Sequence, residues 1–145
     1  MTRNVYVGGD VDIVLEAEDP NMIPFFVADV YATVQQTNFY ERAQTLANEI
    51  RITKPHLIGL QEISTIYRQS PGDELNYMFP GAPPSTPAGE EDIVYDYLNI
   101  LLEALADKGM SYQAVAIGQN IDIEMPMATA YNENGLTAYD DIRLI

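Results

Sequence analysis

The 145-residue chain contains no cysteine. Disulfides and thiolate-bound zinc are thereby excluded, whereas the compartment stays open, because secreted proteins can also lack cysteine. Basic residues are scarce: 7 lysines and arginines stand against 22 aspartates and glutamates, for a formal charge of −15. The seven (Arg3, Arg42, Arg51, Lys54, Arg68, Lys108 and Arg143) are scattered, with no run among them. Nucleic-acid binding draws on Lys and Arg that displace condensed counterions, so no nucleic-acid groove is expected on this segment alone. The plain reading of so much negative charge is solubility. No apolar stretch approaches the roughly 20 residues of a membrane span. Met1-Thr2-Arg3-Asn4 leads into an alternating stretch rather than a basic region followed by an apolar run, so no signal peptide is predicted.

What is present fits one globular domain. The length lies in the usual single-domain range, and 47% apolar residues are enough for a core. Thr2 to Val7 predicts a strand, ended by Gly8 and Gly9. Ile23 to Gln36 has a loose helical pattern opened by Pro24. Asn38, followed three residues later by Glu41, predicts a capping-box variant at the head of the next helix. Phe39, Ala43, Leu46, Ala47 and Ile50 form its apolar stripe, and Pro55 closes it. Leu57 to Ile63 is mostly apolar and predicts a buried strand. Strand, helix and strand at this length make a βαβ unit with parallel pairing and a right-handed crossover. The expected class is α/β (α+β).

Residues 70–89 are rich in proline and glycine and predict a surface loop, either a tolerated insertion or a segment facing substrate. Glu90 to Lys108 predicts one long helix, with Val94, Tyr97, Leu98, Leu101 and Leu105 as its stripe and Gly109 as its stop. Tyr112 to Ile117 and Asn120 to Glu124 predict two strands joined near Gly118, Ala128 to Asn134 a loop, and Asp141 to Ile145 a further strand. The chain stops on Leu144 and Ile145, inside an apolar strand pattern. Domains more often end on polar, fraying segments, so the expectation is a C-terminally truncated domain. Such a half-domain would expose an apolar sheet face and associate with itself.

Two residues invite a chemical reading. Glu62 follows Leu60 and Gln61 at the carboxyl end of a predicted parallel strand, where α/β sheets bind their ligands. It is either a charge leaving the sheet edge or a ligand to a metal or substrate, since a buried carboxylate needs a cation or donors. Asn4 lies between the strand residues Arg3 and Val5. Its amide either pairs with backbone or points at a ligand.

The stretch Met1-Thr2-Arg3-Asn4-Val5-Tyr6-Val7-Gly8 resembles the first strand of the endonuclease/exonuclease/phosphatase superfamily, which carries an active-site Asn. Phe39-Tyr40-Glu41-Arg42-Ala43, continuing to Ile50, is similar to that family's first helix. Pro55-His56-Leu57-Ile58-Gly59-Leu60-Gln61-Glu62 resembles its Pro-Asp-hydrophobic-Gly-Leu-Gln-Glu block, whose Glu binds the catalytic divalent cation. Weaker likenesses at Tyr95–Leu105, Gly109, Tyr112–Val115 and Asp141–Leu144 extend it over nearly the whole chain. The resemblance implies half of a four-layer α/β/β/α sandwich, with one mixed sheet and helices on its outer face. It further implies a metal-dependent phosphoester hydrolase. Glu62 would be the metal ligand, and Asn4 would orient the phosphate or the attacking water. The ion would be Mg²⁺, with Mn²⁺ or Ca²⁺ in its stead. The family's later Asp, Asn and Asp-His groups have no counterpart here. His56 stands where the family shows Asp, and is read as a surface or turn residue. Asp10 and Asp12 are further carboxylates that could add oxygens to the site. The acidic composition favours small phosphoesters or lipid headgroups over DNA as substrates. A non-enzymatic binding module and a degenerate fragment are the alternatives.

Overall fold

The computed structural model describes residues 1–73, 88–133 and 135–145. The fold is mixed α+β, with a parallel two-stranded sheet and an antiparallel four-stranded one. The single mixed sheet expected above is therefore corrected to two sheets. Strand β1 (Thr2–Asn4) pairs in parallel with β2 (Gly59–Gln61), Thr2 opposite Gly59 and Asn4 opposite Gln61. Between them run α1 (Asp12–Leu15), a 3-10 turn (Pro20–Met22), α2 (Ile23–Gln36) and α3 (Phe39–Thr53). The second sheet contains β3 (Thr65–Gln69), β4 (Glu91–Asp96), β5 (Ile123–Asn132) and β6 (Gly135–Leu144) in the order β4-β3-β6-β5. Helix α4 (Tyr97–Ala106) follows β4 directly. No helix among the described residues is long and apolar enough to cross a membrane.

Helical periodicity accounts for the packing. Helix α2 has Pro24 in its first turn, where a missing N–H costs nothing. It buries Val27, Tyr31 and Val34 on one face. Helix α3 buries Phe39, Ala43, Ala47 and Ile50, the stripe expected from their spacing. The side chains of Ala43 and Ala47 are short enough for α4 to pack closely against this face. Helix α4 contributes Tyr97, Ile100, Leu101, Ala104 and Leu105. At the junction the Phe39 and Tyr97 rings stack 3.7 Å apart at 6°. Burying a Phe-sized side chain is worth about 1.5–3 kcal/mol. On the helix-facing side of the antiparallel sheet, Arg68 Nε donates to the buried Asp140 carboxylate at 2.7 Å. That hydrogen bond raises the Arg68 pKa, so the guanidinium stays charged.

Several expectations fail for identifiable reasons. Asn38 precedes α3, but its backbone is left-handed (φ 43°) and its side chain makes no capping bond. The capping box is absent because that backbone does not aim the side chain at the helix's first amides. Strand β2 is shorter than Leu57–Ile63 and largely exposed, not buried. Within Glu90–Lys108, residues Glu91–Asp96 form β4, paired antiparallel with Thr65–Gln69. Asp96 divides the segment: its carboxylate accepts from Asn99 N at 3.0 Å and caps α4. Gly109 ends the helix in a left-handed conformation, as expected. Residues 112–117 and 120–122 form no strand, and Val115 and Ile117 are 85% and 75% exposed. An apolar segment with no partner strand gains no ladder bonds. Conversely, Ala128–Asn132, expected as loop, continues β5 because β6 supplies a partner across a hairpin. Most of the predicted proline- and glycine-rich loop, residues 74–87, lies outside the described residues.

Replacing Phe39 by Ala removes a ring that is 1% exposed and should cost about 3–5 kcal/mol of unfolding free energy. Urea titration of the purified variant checks this, and a loss below about 1 kcal/mol would remove Phe39 from the core.

Candidate active site at the carboxyl ends of the parallel pair

Strands β1 and β2 run side by side, so their carboxyl ends emerge together. Val5 N donates to Gln61 O at 2.9 Å and extends the ladder by one bond. Glu62 then leaves β2 with φ 57°, and Tyr6 leaves β1 with φ 62°. Left-handed backbone costs a non-glycine residue about 1–2 kcal/mol. Strain of this kind persists where surrounding contacts over-determine it, and it concentrates at functional sites.

The contacts here do over-determine it. Asn4 Oδ1 accepts from Tyr6 N at 2.7 Å, closing an Asx turn. An N–H can only donate, so this bond orients the Asn4 amide and leaves Nδ2 to face outward from the turn. Asn4 Nδ2 donates to Glu62 Oε1 at 2.6 Å, and Val7 N donates to Glu62 Oε2 at 3.1 Å. Each carboxylate oxygen thus has one donor and spare acceptor capacity. Glu62 is exposed, and no lysine or arginine of the described residues is recorded in a hydrogen bond or ion pair with it.

A second layer holds the turn from below. Arg42 on α3 donates through Nη1 to Val5 O at 2.8 Å and Tyr6 O at 2.9 Å, and through Nε to Thr37 O at 3.1 Å. Its guanidinium carbon lies 5.0 Å from the Phe39 ring centre and 5.9 Å from that of Tyr97. Tyr97 Oη donates to Val7 O at 2.5 Å. Burial pushes the Tyr97 phenol up to about 12, so the donor keeps its proton across the ordinary pH range. At Gly8, φ is 108°, and a Cβ there would stand 2.5 Å from Thr37 Oγ1. Only glycine fits that approach without displacing the Thr37 hydroxyl just beyond the end of α2.

Asn4 and Glu62, the two site residues read from sequence, are therefore in contact. Asp10, Asp12 and His56 are not drawn into the group. Asp10 turns back on its own chain, its Oδ1 accepting from Asp12 N at 3.2 Å, and His56 is exposed in the bend before β2. No cluster of three Asp, Glu, His or Cys side chains that could share an ion forms among the described residues.

Comparison of the chain with protein-family models, with curated proteins and with solved structures finds no match in any of the three.

Sequence reading passed over Arg42, Tyr97 and the Val7 amide. One signal was available for Arg42, which follows Phe39 by three positions and so shares the face of the apolar stripe. A charge on that face must find acceptors inside the fold. Nothing local marks a backbone N–H, or the hydroxyl of a tyrosine far along the chain, as a partner.

Chemically, one exposed carboxylate beside an amide donor offers a single hard oxygen site. Mg²⁺ commonly takes one or two protein carboxylates, fills other positions with water and substrate phosphate, and so fits Glu62 as one ligand. The contact itself is testable by a double-mutant cycle. Asn4→Ala and Glu62→Ala should each lower stability by about 1 kcal/mol. The double variant should lose less than their sum by about 0.5 kcal/mol or more. Strict additivity in chemical denaturation would mean that the two side chains do not meet in solution.

Proposed function

We propose that this chain supplies the Asn4–Glu62 part of the active site of a Mg²⁺-dependent phosphoester hydrolase of the endonuclease/exonuclease/phosphatase type. Its sheets would form part of a four-layer α/β/β/α sandwich. The observation that carries this reading is the 2.6 Å contact between Asn4 Nδ2 and Glu62 Oε1. It lies at the carboxyl ends of adjacent parallel strands, where α/β sheets bind ligands. The residue pattern Leu60-Gln61-Glu62 supports it.

In this reading Glu62 is the metal ligand, and Mn²⁺ or Ca²⁺ could take the place of Mg²⁺. The ion, when bound, would polarise a phosphoryl oxygen and offset charge developing during attack by water. Asn4 orients the phosphate or the water through the second N–H of its amide, the first being held by Glu62. Val7 N fixes the opposite carboxylate oxygen. The general base and the remaining ligands would be groups other than Asn4 and Glu62, in the roles of the family's later Asp, Asn and Asp-His pair. The charge of −15 favours small phosphoesters or lipid headgroups over duplex DNA.

A second reading has its own observation. Among the described residues no further acidic or histidine groups join Glu62 to make a three-ligand site. That favours a non-enzymatic binding module, or a degenerate fragment, that reuses the fold. The two readings separate on the complete gene product, assayed with Mg²⁺ on DNA, inositol phosphates and sphingomyelin. Hydrolysis of one of these should fall by about a thousandfold or more in Glu62→Ala, since metal-assisted charge stabilisation is worth several kcal/mol. Unchanged Mg²⁺-dependent turnover in that variant would remove Glu62 from the site. Absence of Mg²⁺ uptake in calorimetry would favour the binding module or the fragment. The exposed apolar segment containing Val115 and Ile117 further leads to self-association of the isolated chain at high concentration, which light scattering would show as a mass above 16.2 kDa.

A further inference from the structure

Arg42 makes no recorded bond to any carboxylate among the described residues; its hydrogen bonds go to the carbonyls of Thr37, Val5 and Tyr6. The last of these matters most. Tyr6 C=O and Val7 N–H belong to one peptide unit. Arg42 Nη1 donates to its oxygen at 2.9 Å, while its N–H donates to Glu62 Oε2 at 3.1 Å. The guanidinium is therefore linked to the carboxylate through a single planar amide. We infer that Arg42 is a positioning residue for Glu62, acting through the Tyr6–Val7 peptide to fix the carboxylate's orientation toward a divalent cation.

Three features support this over a purely structural role. First, the peptide is held at both ends of its dipole, and bonds in such a chain polarise one another. The Val7 N–H is thus a stronger and better-aimed donor than an unsupported loop amide. Second, two nitrogens of the fork, Nε and Nη1, together reach three carbonyls on two segments, which a point-charge ammonium cannot do. Third, Arg42 Nη2 is buried with no hydrogen-bond partner among the described residues. An arginine whose Nη2 N–H groups make no well-aligned hydrogen bond, and whose neighbours are the aromatic rings of Phe39 and Tyr97, is held in place by the carbonyls its other two nitrogens reach. The positive charge itself would oppose a cation, but Glu62 is exposed and water screens that field. Orientation is therefore the larger effect.

The inference rests on the reading of Glu62 as a metal ligand, and the test keeps the two apart. Amide hydrogen exchange at Val7 and Mn²⁺ affinity are measured on the 145-residue chain for the wild type, Arg42→Lys, Glu62→Gln and the core variant Ile50→Val. Arg42→Lys keeps the charge and loses the fork. It should speed Val7 exchange and weaken Mn²⁺ binding, each by about tenfold, the usual scale for losing a group that orients a metal ligand. Ile50→Val loosens the core and should leave both readouts unchanged once global stability is accounted for. Arg42→Gln serves if the lysine variant fails to fold. Val7 protection and Mn²⁺ affinity equal to wild type in a folded Arg42 variant would overturn the inference, as would tighter Mn²⁺ binding in Arg42→Gln. If the 145-residue wild type takes up no Mn²⁺, the affinity readout drops out, and the metal reading of Glu62 is left to the assay of the complete gene product. Val7 exchange then decides the positioning role alone: unchanged protection overturns it, and lost protection upholds it.

Discussion

Parallel pairing of β1 with β2 is the constraint on which the candidate site depends. It brings Asn4 and Glu62, 58 positions apart, to the same end of two neighbouring strands. Parallel strands cannot be joined by a tight turn; they need a long crossover, which here consists of helices α1 to α3. That crossover buries the Phe39, Ala43, Ala47 and Ile50 stripe against α4. The stability that holds two short, exposed strands in register therefore comes from helix packing, not from the six-residue ladder itself.

Given that pairing, the site is shaped by backbone that would not adopt its conformation unaided. Tyr6 and Glu62 are both left-handed, and neither is a residue that tolerates this readily. Their conformations are imposed by hydrogen bonds converging from three directions: the Asn4 side chain, the Arg42 fork and the Tyr97 hydroxyl. Asn4 and Glu62, the two candidate site residues, are exposed, whereas the groups that hold them lie against the core. Phe39 stacks on Tyr97 within the core, and the Tyr97 hydroxyl reaches the Val7 carbonyl beside the exposed pair.

Electrostatics sets the terms on which such a site could work. A chain of charge −15 repels phosphates and attracts cations. An exposed carboxylate without a lysine or arginine partner adds to that local field. In the proposed hydrolase, a divalent cation would have to reconcile this surface with a phosphoester. The same surface argues against binding that relies on a basic groove.

The residue pattern alone made the helices over Ile23–Gln36 and Phe39–Thr53 legible, because an amphipathic stripe is a local property. The βαβ order, with its parallel pair, followed from the spacing of apolar runs. Asn4 and Glu62 stood out because polar groups in strand sequences need partners. Strand β4, the long β5–β6 hairpin and the absence of strands over 112–122 were not legible in this way. A strand exists only where another segment offers its hydrogen bonds, and the Glu91–Asp96 pairing with Thr65–Gln69 is not written in either stretch separately. The same holds for the site's inner layer. Spacing of apolar runs placed Glu62 at the end of a predicted parallel strand and Asn4 on the first strand; only the tertiary structure decided that the two side chains meet, and that a backbone N–H and an arginine-bound peptide would hold the carboxylate, since those partners are assembled across segments that share no local signal.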